Sequence, residues 1–464
     1  LSLHDALPIY FDSSARNDIT SVAVSEDAKA VKFRVVTARD ITAFEDGDST
    51  WMNILVRTSM KRREGFPYDF VIGRKPSKDG KTSVERIRDG GKTVCGEASW
   101  SVSGNEMVIE VPLEALRLRG GPVHFFFKVS DHVTDPDNMM DYYVSGDSAP
   151  IGGMDYEYGH RNFLYSRLLD DGESLDEYSF EGPVKAAPSP EGLRVEGAGG
   201  MVRLDRYYSL GERTAGFTVH FSPDAQAFFR SNSGDFCCHV DVQAKSVTIA
   251  PYSPDAQAAE KAVAEGRGKK LKVPFLDPGH EYSVQVVHEY LTNGARLTDL
   301  QTGESVELSL TSDGAGGVGK GALQEGYSAG YMWDYYCFGL SGGSCMTVKK
   351  AEVFSTGEKV FLMIYGDSIT QPDGYFPKKD FPKAWTMQIL SNIKGKGICS
   401  GRGGCTINEV LLRIPNELPF IRPEYVMVTI GTNGGNTEEN LSRLVEYILS
   451  QGSVPILNNI PCNE

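Results

Sequence analysis

The chain reads as a multidomain protein, with two β-sandwich or jelly-roll domains followed by a doubly wound α/β segment. Two patterns predict this. Up to about residue 355, apolar and polar residues alternate in short runs closed by glycine-rich turns. From Lys359 onward, continuous apolar runs alternate with helical stripes instead. At 464 residues the chain is too long for one hydrophobic core, and its 50 glycines and many aromatics suit β modules with tight turns.

Residues 10–165 form the first expected sandwich. Val31, Phe33 and Val35 alternate with polar neighbours, and similar patches occur at Trp51–Val56, Tyr68–Ile72, Met107–Val111 and Val123–Val129. Asp46-Gly47-Asp48 and Asp89-Gly90-Gly91 supply turns between them. Residues 166–191 read as a linker: an acidic stretch from Asp170 to Glu173 precedes the spaced prolines Pro183, Pro188 and Pro190. Residues 192–355 alternate again, at Phe217–Phe221, His239–Ile249, Tyr282–His288, Val306–Leu310 and Met346–Val353, with one helical patch at Asp255–Glu265. The opening LSLHDALPI, residues 1–9, resembles translated sequencing-adapter sequence and is set aside as a non-native leader.

In residues 359–464 the buried strands are Val360–Tyr365, Gly397–Ser400, Tyr425–Ile430 and Val454–Leu457. Helices fall between them. One runs through Trp385, Ile389 and Ile393; a second through Ile407, Val410, Leu411 and Ile414. A third, capped by Thr437, carries Leu441, Leu444, Val445, Ile448 and Leu449 up to Gly452.

Charge and cysteine usage narrow the function classes. With 62 acidic against 47 basic residues the formal charge is −15, which argues against nucleic acid or an anionic membrane as partner. No apolar run approaches the roughly 20 residues that span a bilayer. Cys95, Cys237, Cys238, Cys337, Cys345, Cys399, Cys405 and Cys462 contain no CxxC pair, and the redox compartment stays open. Cys237-Cys238-His239 reads as buried packing rather than a metal site. Asp131, Asp135, Asp137 and Asp141 form an acidic run with the oxygen donors Ca²⁺ takes, although a solvated loop is the plainer reading. No metal and no cofactor is assigned.

Chemistry concentrates in three small, glycine-rich loops that follow three successive strands. They are Gly366-Asp367-Ser368, Ser400–Thr406 and Gly431–Asn436. In an open α/β sheet, ligands bind at the carboxyl ends of the strands, so all three loops meet one crevice. A serine just past a buried strand suits an acyl-transfer nucleophile. The amides of Ser368 and Gly404 and the side-chain amide of Asn433 can serve as oxyanion donors. Asp367, Gly403 and Thr432 are the candidates for substrate contact. Any one of these tripeptides alone would mark an ordinary turn or hinge.

Together these residues resemble the SGNH (GDSL-like) hydrolases. Gly366-Asp367-Ser368-Ile369-Thr370 matches the nucleophile block and Gly401–Thr406 the glycine block, with Cys405 where the family more often has Asp. Gly431-Thr432-Asn433 matches the asparagine block, with Gly434 in place of the commoner Asp. With Ile421-Arg422-Pro423, the run looks most like the platelet-activating-factor acetylhydrolase branch, over Val360–Glu464, about half of such a domain. The resemblance implies a flavodoxin-like sheet and a Ser-His dyad or Ser-His-Asp triad hydrolysing esters through an acyl-enzyme. All eight histidines, from His4 to His288, precede the nucleophile block. The expected Asp-x-x-His pair lies beyond residue 464, which would leave this fragment inactive, its sheet short of cover and its α/β part the least stable.

The first β segment is similar to carbohydrate-binding sandwiches of the family 9 type. The similarity rests on Asn17-Asp18-Ile19, Val22–Thr37, Trp51-Met52-Asn53, Val111–Leu116 and Met140–Tyr143. It implies sugar stacking on exposed aromatics such as Trp51 or Tyr143, against the plainer reading that both are core. The second resembles laminin-G or concanavalin-like jelly rolls.

The expectation is a carbohydrate O-acetylesterase, with an acylated carbohydrate or small ester as substrate and a secreted, periplasmic or cell-surface location. One alternative is a non-catalytic glycan-binding protein with a degenerate hydrolase domain. A second is a flavodoxin-like domain binding FMN or phosphate, which Asp367 and Asp373 would repel.

Overall fold

The computed structural model describes residues 16–60, 62–63, 65–88, 90–159, 162–169, 175–231, 237–250, 255–289, 292–311, 335–372 and 378–458. The chain divides between residues 160 and 161 into two compact units. The leader 1–9, the acidic stretch 170–173, Asp373 and Cys462 lie outside the described residues.

The first unit is one ten-stranded antiparallel sheet. Its path runs Ile19–Glu26, Ala30–Thr37, Glu106–Pro112, Gly91–Ser103, Lys81–Arg88, Phe70–Ile72, Asn53–Arg57, His124–Asp131 and Tyr156–Gly159, with Asp147–Ala149 beside His124–Asp131. Phe33, near one end of that path, meets Phe125 and Phe127, near the other, at ring distances of 5.7 and 5.4 Å. The sheet therefore folds over on itself and closes a sandwich core, as the period-two alternation requires. Trp51 and Tyr143 are buried in that unit, so neither presents a face to a sugar.

The second unit begins with a sandwich of two antiparallel sheets. The eight-stranded one follows the path Lys185–Ser189, Gly192–Glu196, Met346–Phe354, Arg213–Phe221, Glu281–Glu289, Thr292–Asp299 and Ser305–Thr311, and Phe163–Leu168 also pairs with Met346–Phe354. The seven-stranded one runs Tyr178–Glu181, Met201–Leu204, Tyr336–Gly342, Gln226–Ser231, Cys237–Asp241, Ser246–Ala250 and Lys269–Lys272. Phe217 of the first sheet packs on Phe229 and Phe338 of the second at 5.3 and 5.4 Å, which sets the two faces against each other.

The described part of the expected linker at 166–191 is not a linker. Phe163–Leu168, Tyr178–Glu181 and Lys185–Ser189 are all strands of this sandwich. Pro188 is tolerated because Lys185–Ser189 is an edge strand, where a missing backbone donor costs no ladder bond. The expected helical patch is the helix Ala256–Ala264, capped by the side chain of Asp255.

The α/β segment follows directly. Strand β1 (Val360–Gly366) is central, flanked by β2 (Lys396–Gly401) and β3 (Tyr425–Thr429), with β4 (Val454–Leu457) outside β3. All three pairings are parallel. Helix α1 (Trp385–Asn392) covers one face through Trp385, Ile389 and Leu390 against Leu362, Ile364 and Cys399. Helices α2 (Ile407–Arg413), α3 (Leu418–Ile421) and α4 (Glu438–Ser450) lie over the other, where Met363, Tyr365, Val410 and Leu444 join the sandwich core in one continuous cluster. Leu449, expected in the buried stripe of α4, is 56% exposed.

The two edges of this sheet differ. Along β2 the strap Tyr207–Glu212 of the sandwich lies alongside: Gly211 N donates to Cys399 O at 2.9 Å and Lys396 pairs with Glu212 at 2.7 Å. At the other edge, Val454 and Leu457 are about half exposed. Replacing Phe217 by Ala should lower unfolding free energy by about 3–5 kcal/mol in urea titration, whereas the exposed Phe180→Ala should change it by less than about 0.5 kcal/mol.

Candidate functional site

The three loops do meet at the carboxyl ends of β1, β2 and β3, and hydrogen bonds join them. Arg402 N donates to Gly366 O at 3.0 Å, linking the second loop to the first. Gly403 N donates to Gln371 Oε1 at 2.8 Å. Asn433 Nδ2 donates to Cys405 O at 3.0 Å, which ties the third loop to the second. Thr370 Oγ1 donates to Thr429 O at 3.3 Å and closes the first loop onto β3.

Local chemistry explains the shape of the first loop. Asp367 Oδ1 accepts the amide of Ile369 at 2.9 Å, and Asp367 O accepts the amides of Thr370 and Gln371, so the chain turns sharply at Ser368. Gly366 admits no side chain, because a Cβ there would stand 2.0 Å from Thr370 Oγ1 and 2.5 Å from Thr429 O. Trp385 Nε1 on α1 holds Ile369 O at 2.8 Å. Ser368 is left partly exposed, and among the described residues its hydroxyl bonds to no other group.

The expected site residues therefore divide. Ser368, Gly404 and Asn433 are accessible at the sheet edge, and Gly404 has a left-handed φ of +75°. Thr432 is exposed beside Asn433. Asp367 and Gly403, expected to contact substrate, are buried and turned to other work: Asp367 builds the Ser368 turn, and the Gly403 amide is spent on Gln371. Among the described residues, Asp367 Oδ2 has no hydrogen-bond partner. Cys405, where the related pattern has Asp, is buried, and burial pushes its thiol up, which keeps it protonated and inert.

Sequence reasoning missed the groups that hold these loops. Gln371 sits one residue past the quoted nucleophile block, and nothing in its sequence neighbourhood singles it out. Glu417 is fully buried and accepts from Ser209 N at 2.6 Å and Tyr365 OH at 2.9 Å. Arg413 donates to Ser400 O at 2.9 Å and lies over the Tyr365 ring. Nothing in the sequence marks these charged residues as buried.

Among the described histidines none hydrogen-bonds Ser368. His280 pairs with Asp299 and His288 with Asn293, both in the sandwich, and burial drives His288 well below the usual imidazole range.

The acidic run of the first unit is dispersed. Asp131 is buried and accepts Met52 N at 2.9 Å and Asn17 Nδ2 at 3.1 Å, with Arg16 at 3.3 Å. Asp135 and Asp141 accept amides around a 3₁₀ turn, and Asp137 pairs with Arg74 and Lys92. Among the described residues no group of three or more His, Cys, Asp or Glu is placed to hold a metal. The described cysteines are free thiols. No described helix is long and apolar enough to cross a membrane.

No protein-family model matches this chain, and no curated protein matches it. Among solved structures it has neighbours of low identity. The exoplasmic/lumenal domain of VIP36 in its Ca²⁺-bound form is 8% identical at a TM-score of 0.31, with 42% of this chain and 90% of that one covered. Carbohydrate-binding module CBM66 from Bacillus subtilis is 11% identical at 0.27, covering 39% and 96%. Arcelin-5, a lectin-like defence protein from Phaseolus vulgaris, is 11% identical at 0.28, covering 41% and 97%. The chain's own sheets define its class: a multidomain, mainly β-sandwich chain with a small parallel sheet near its C-terminal end.

Two outcomes follow. Gly404→Ala should cost about 1–2 kcal/mol in chemical unfolding, since an L residue resists φ +75°. Burial raises the Asp131 carboxyl to about 6, outweighing the pull of Arg16. A carboxyl raised on folding contributes stability below its unfolded pKa and loses it as pH rises through the folded value. Between about pH 4 and 6, Asp131→Asn should therefore gain thermal stability relative to the parent, measured as the difference in Tm across that window.

Proposed function

We propose that the α/β segment is a serine ester hydrolase of the SGNH type, acting through an acyl-enzyme on Ser368, with carbohydrate O-acetyl groups as its substrate class. The observation that carries this reading is the hydrogen-bonded union of three loops at one sheet edge, with a serine hydroxyl on the first that bonds no other group among the described residues. Among the described residues, the amides of Ser368 and Gly404 donate to no other group, and Asn433 keeps one amide proton after its bond to Cys405 O.

In this mechanism Ser368 Oγ forms a bond to the ester carbonyl carbon as its proton passes to a base. The resulting oxyanion meets the two amides and Asn433 Nδ2, and collapse breaks the bond to the alcohol, which leaves with that proton. Water then hydrolyses the acyl-serine to release the acid. The base is a histidine in the related pattern, and none is assigned here.

The test is hydrolysis of p-nitrophenyl acetate by protein expressed from its complete reading frame. Ser368→Ala should lose about 10⁴-fold or more in kcat, and Asn433→Ala about 10²–10³-fold. Unchanged turnover in Ser368→Ala would sink the reading. Acetate release from acetylated xylan or pectin tests the substrate class separately.

A second reading, glycan binding without catalysis, is favoured by an open cleft of about 360 Å³ on the sandwich of the second unit. Phe180, 45% exposed, lies beside Lys185, Arg194 and Glu196 there, an apolar ring face with polar groups around it. Retardation of the protein in a polysaccharide-containing native gel, abolished by Phe180→Ala and kept in Ser368→Ala, would favour this reading.

A further inference from the structure

We infer that the strap Tyr207–Glu212 is a built-in part of the hydrolytic site, positioning the loop that carries Gly404, with Arg402 and Ser209 as positioning residues. The inference rests on the reading of Ser368 and Gly404 given above and goes beyond it by assigning the neighbouring sandwich a role in the site.

The strap lies alongside β2 and the loop that follows it. Glu212 pairs with Lys396 at the start of β2, and Gly211 bonds Cys399. Leu210 O accepts Arg402 Nη2 at 2.8 Å. Ser209 bonds both the Ser400 hydroxyl and Glu417, and Tyr207 O accepts Asn416 Nδ2 at 3.2 Å. The contacts thus run from the far end of β2 up to the loop itself.

Arg402 is where the strap reaches the chemistry. It is fully buried, two residues before Gly404. Its backbone amide holds Gly366 O at the end of β1, while its guanidinium holds Gly401 O at 2.9 Å and Leu210 O. Leu210 O also accepts Arg213, whose Nε donates to Tyr336 OH at 2.9 Å in the opposite sheet of the sandwich. A continuous path of buried polar contacts therefore runs from Tyr336 through Arg213, Leu210 and Arg402 to the peptide preceding Gly403-Gly404. Oxyanion donors act only when fixed in advance, so the strap supplies what the short loop cannot supply alone.

The test compares Ser209→Ala and Arg402→Lys with Lys396→Ala, which breaks the strap at its far, partly exposed end. Two readouts are taken: p-nitrophenyl acetate kinetics, and hydrogen–deuterium exchange of the segment 402–406. Ser209→Ala and Arg402→Lys should lower kcat between about tenfold and a hundredfold with KM within about twofold, and should speed exchange in 402–406. Lys396→Ala should leave both near the parent values even where its Tm falls. If all three variants lose kcat only in proportion to Tm, or if Ser209→Ala leaves exchange in 402–406 unchanged, the inference is overturned. Ser368→Ala, read in the same assay, reports on the hydrolase reading by itself; the exchange readout needs no activity and decides the positioning role even where that reading fails.

Discussion

The buried carboxylate of Glu417 is the constraint on which the second unit depends. It lies fully out of water between two pieces of fold that the chain separates by some two hundred residues, and it accepts from Ser209 on one side and from Tyr365 and Ser400 on the other. A buried carboxyl is tolerable only when its polar atoms are met, and here the donors come from both the sandwich and the parallel sheet. The two therefore pack as one compact unit. Removing either side would leave buried polar atoms short of partners, at about 1–3 kcal/mol for each such group.

That junction also decides how the sheet is finished. Parallel sheets need both faces covered and their edges managed. The faces are closed by α1 on one side and by α2, α3 and α4 on the other. The β2 edge is closed by a strap borrowed from the sandwich. Because β1 is central, its carboxyl end is the point from which loops on either side can be reached, and Ser368 stands there. The small residues around it are a packing requirement as much as a chemical one: Gly366 lies where Thr370 and Thr429 leave no space for a Cβ.

Buried charge recurs in the first unit under a different solution. Burial pushes the Asp69 carboxyl up, yet Arg63 and Arg88 beside it hold it below the usual carboxylate range, and Thr58 N adds a bond at 2.8 Å. Asp131 has one arginine and fewer donors, and there burial wins. The same residue type thus titrates in opposite directions within one sheet, according to how many donors the fold brings to it.

By itself the sequence determined the coarse class, mainly β-sandwich with a small parallel sheet, and the order of the loops, together with the element types outside residues 166–191. Alternation with period two is a direct record of one buried and one solvated face, as at Val31, Phe33 and Val35, and the continuous run Val360–Tyr365 records a strand covered on both sides. Residues 166–191 were misleading because prolines and charges look alike in a linker and in an edge strand; only the pairing partners distinguish them. The placement of Ser368, Gly404 and Asn433 at the strand ends was legible because their loops follow strands directly. Only the tertiary structure decided which neighbours hold them. Gln371, Arg402, Glu417 and the strap at Ser209 act through contacts that sequence spacing does not encode, and burial of a polar side chain leaves no periodic trace in the chain that carries it.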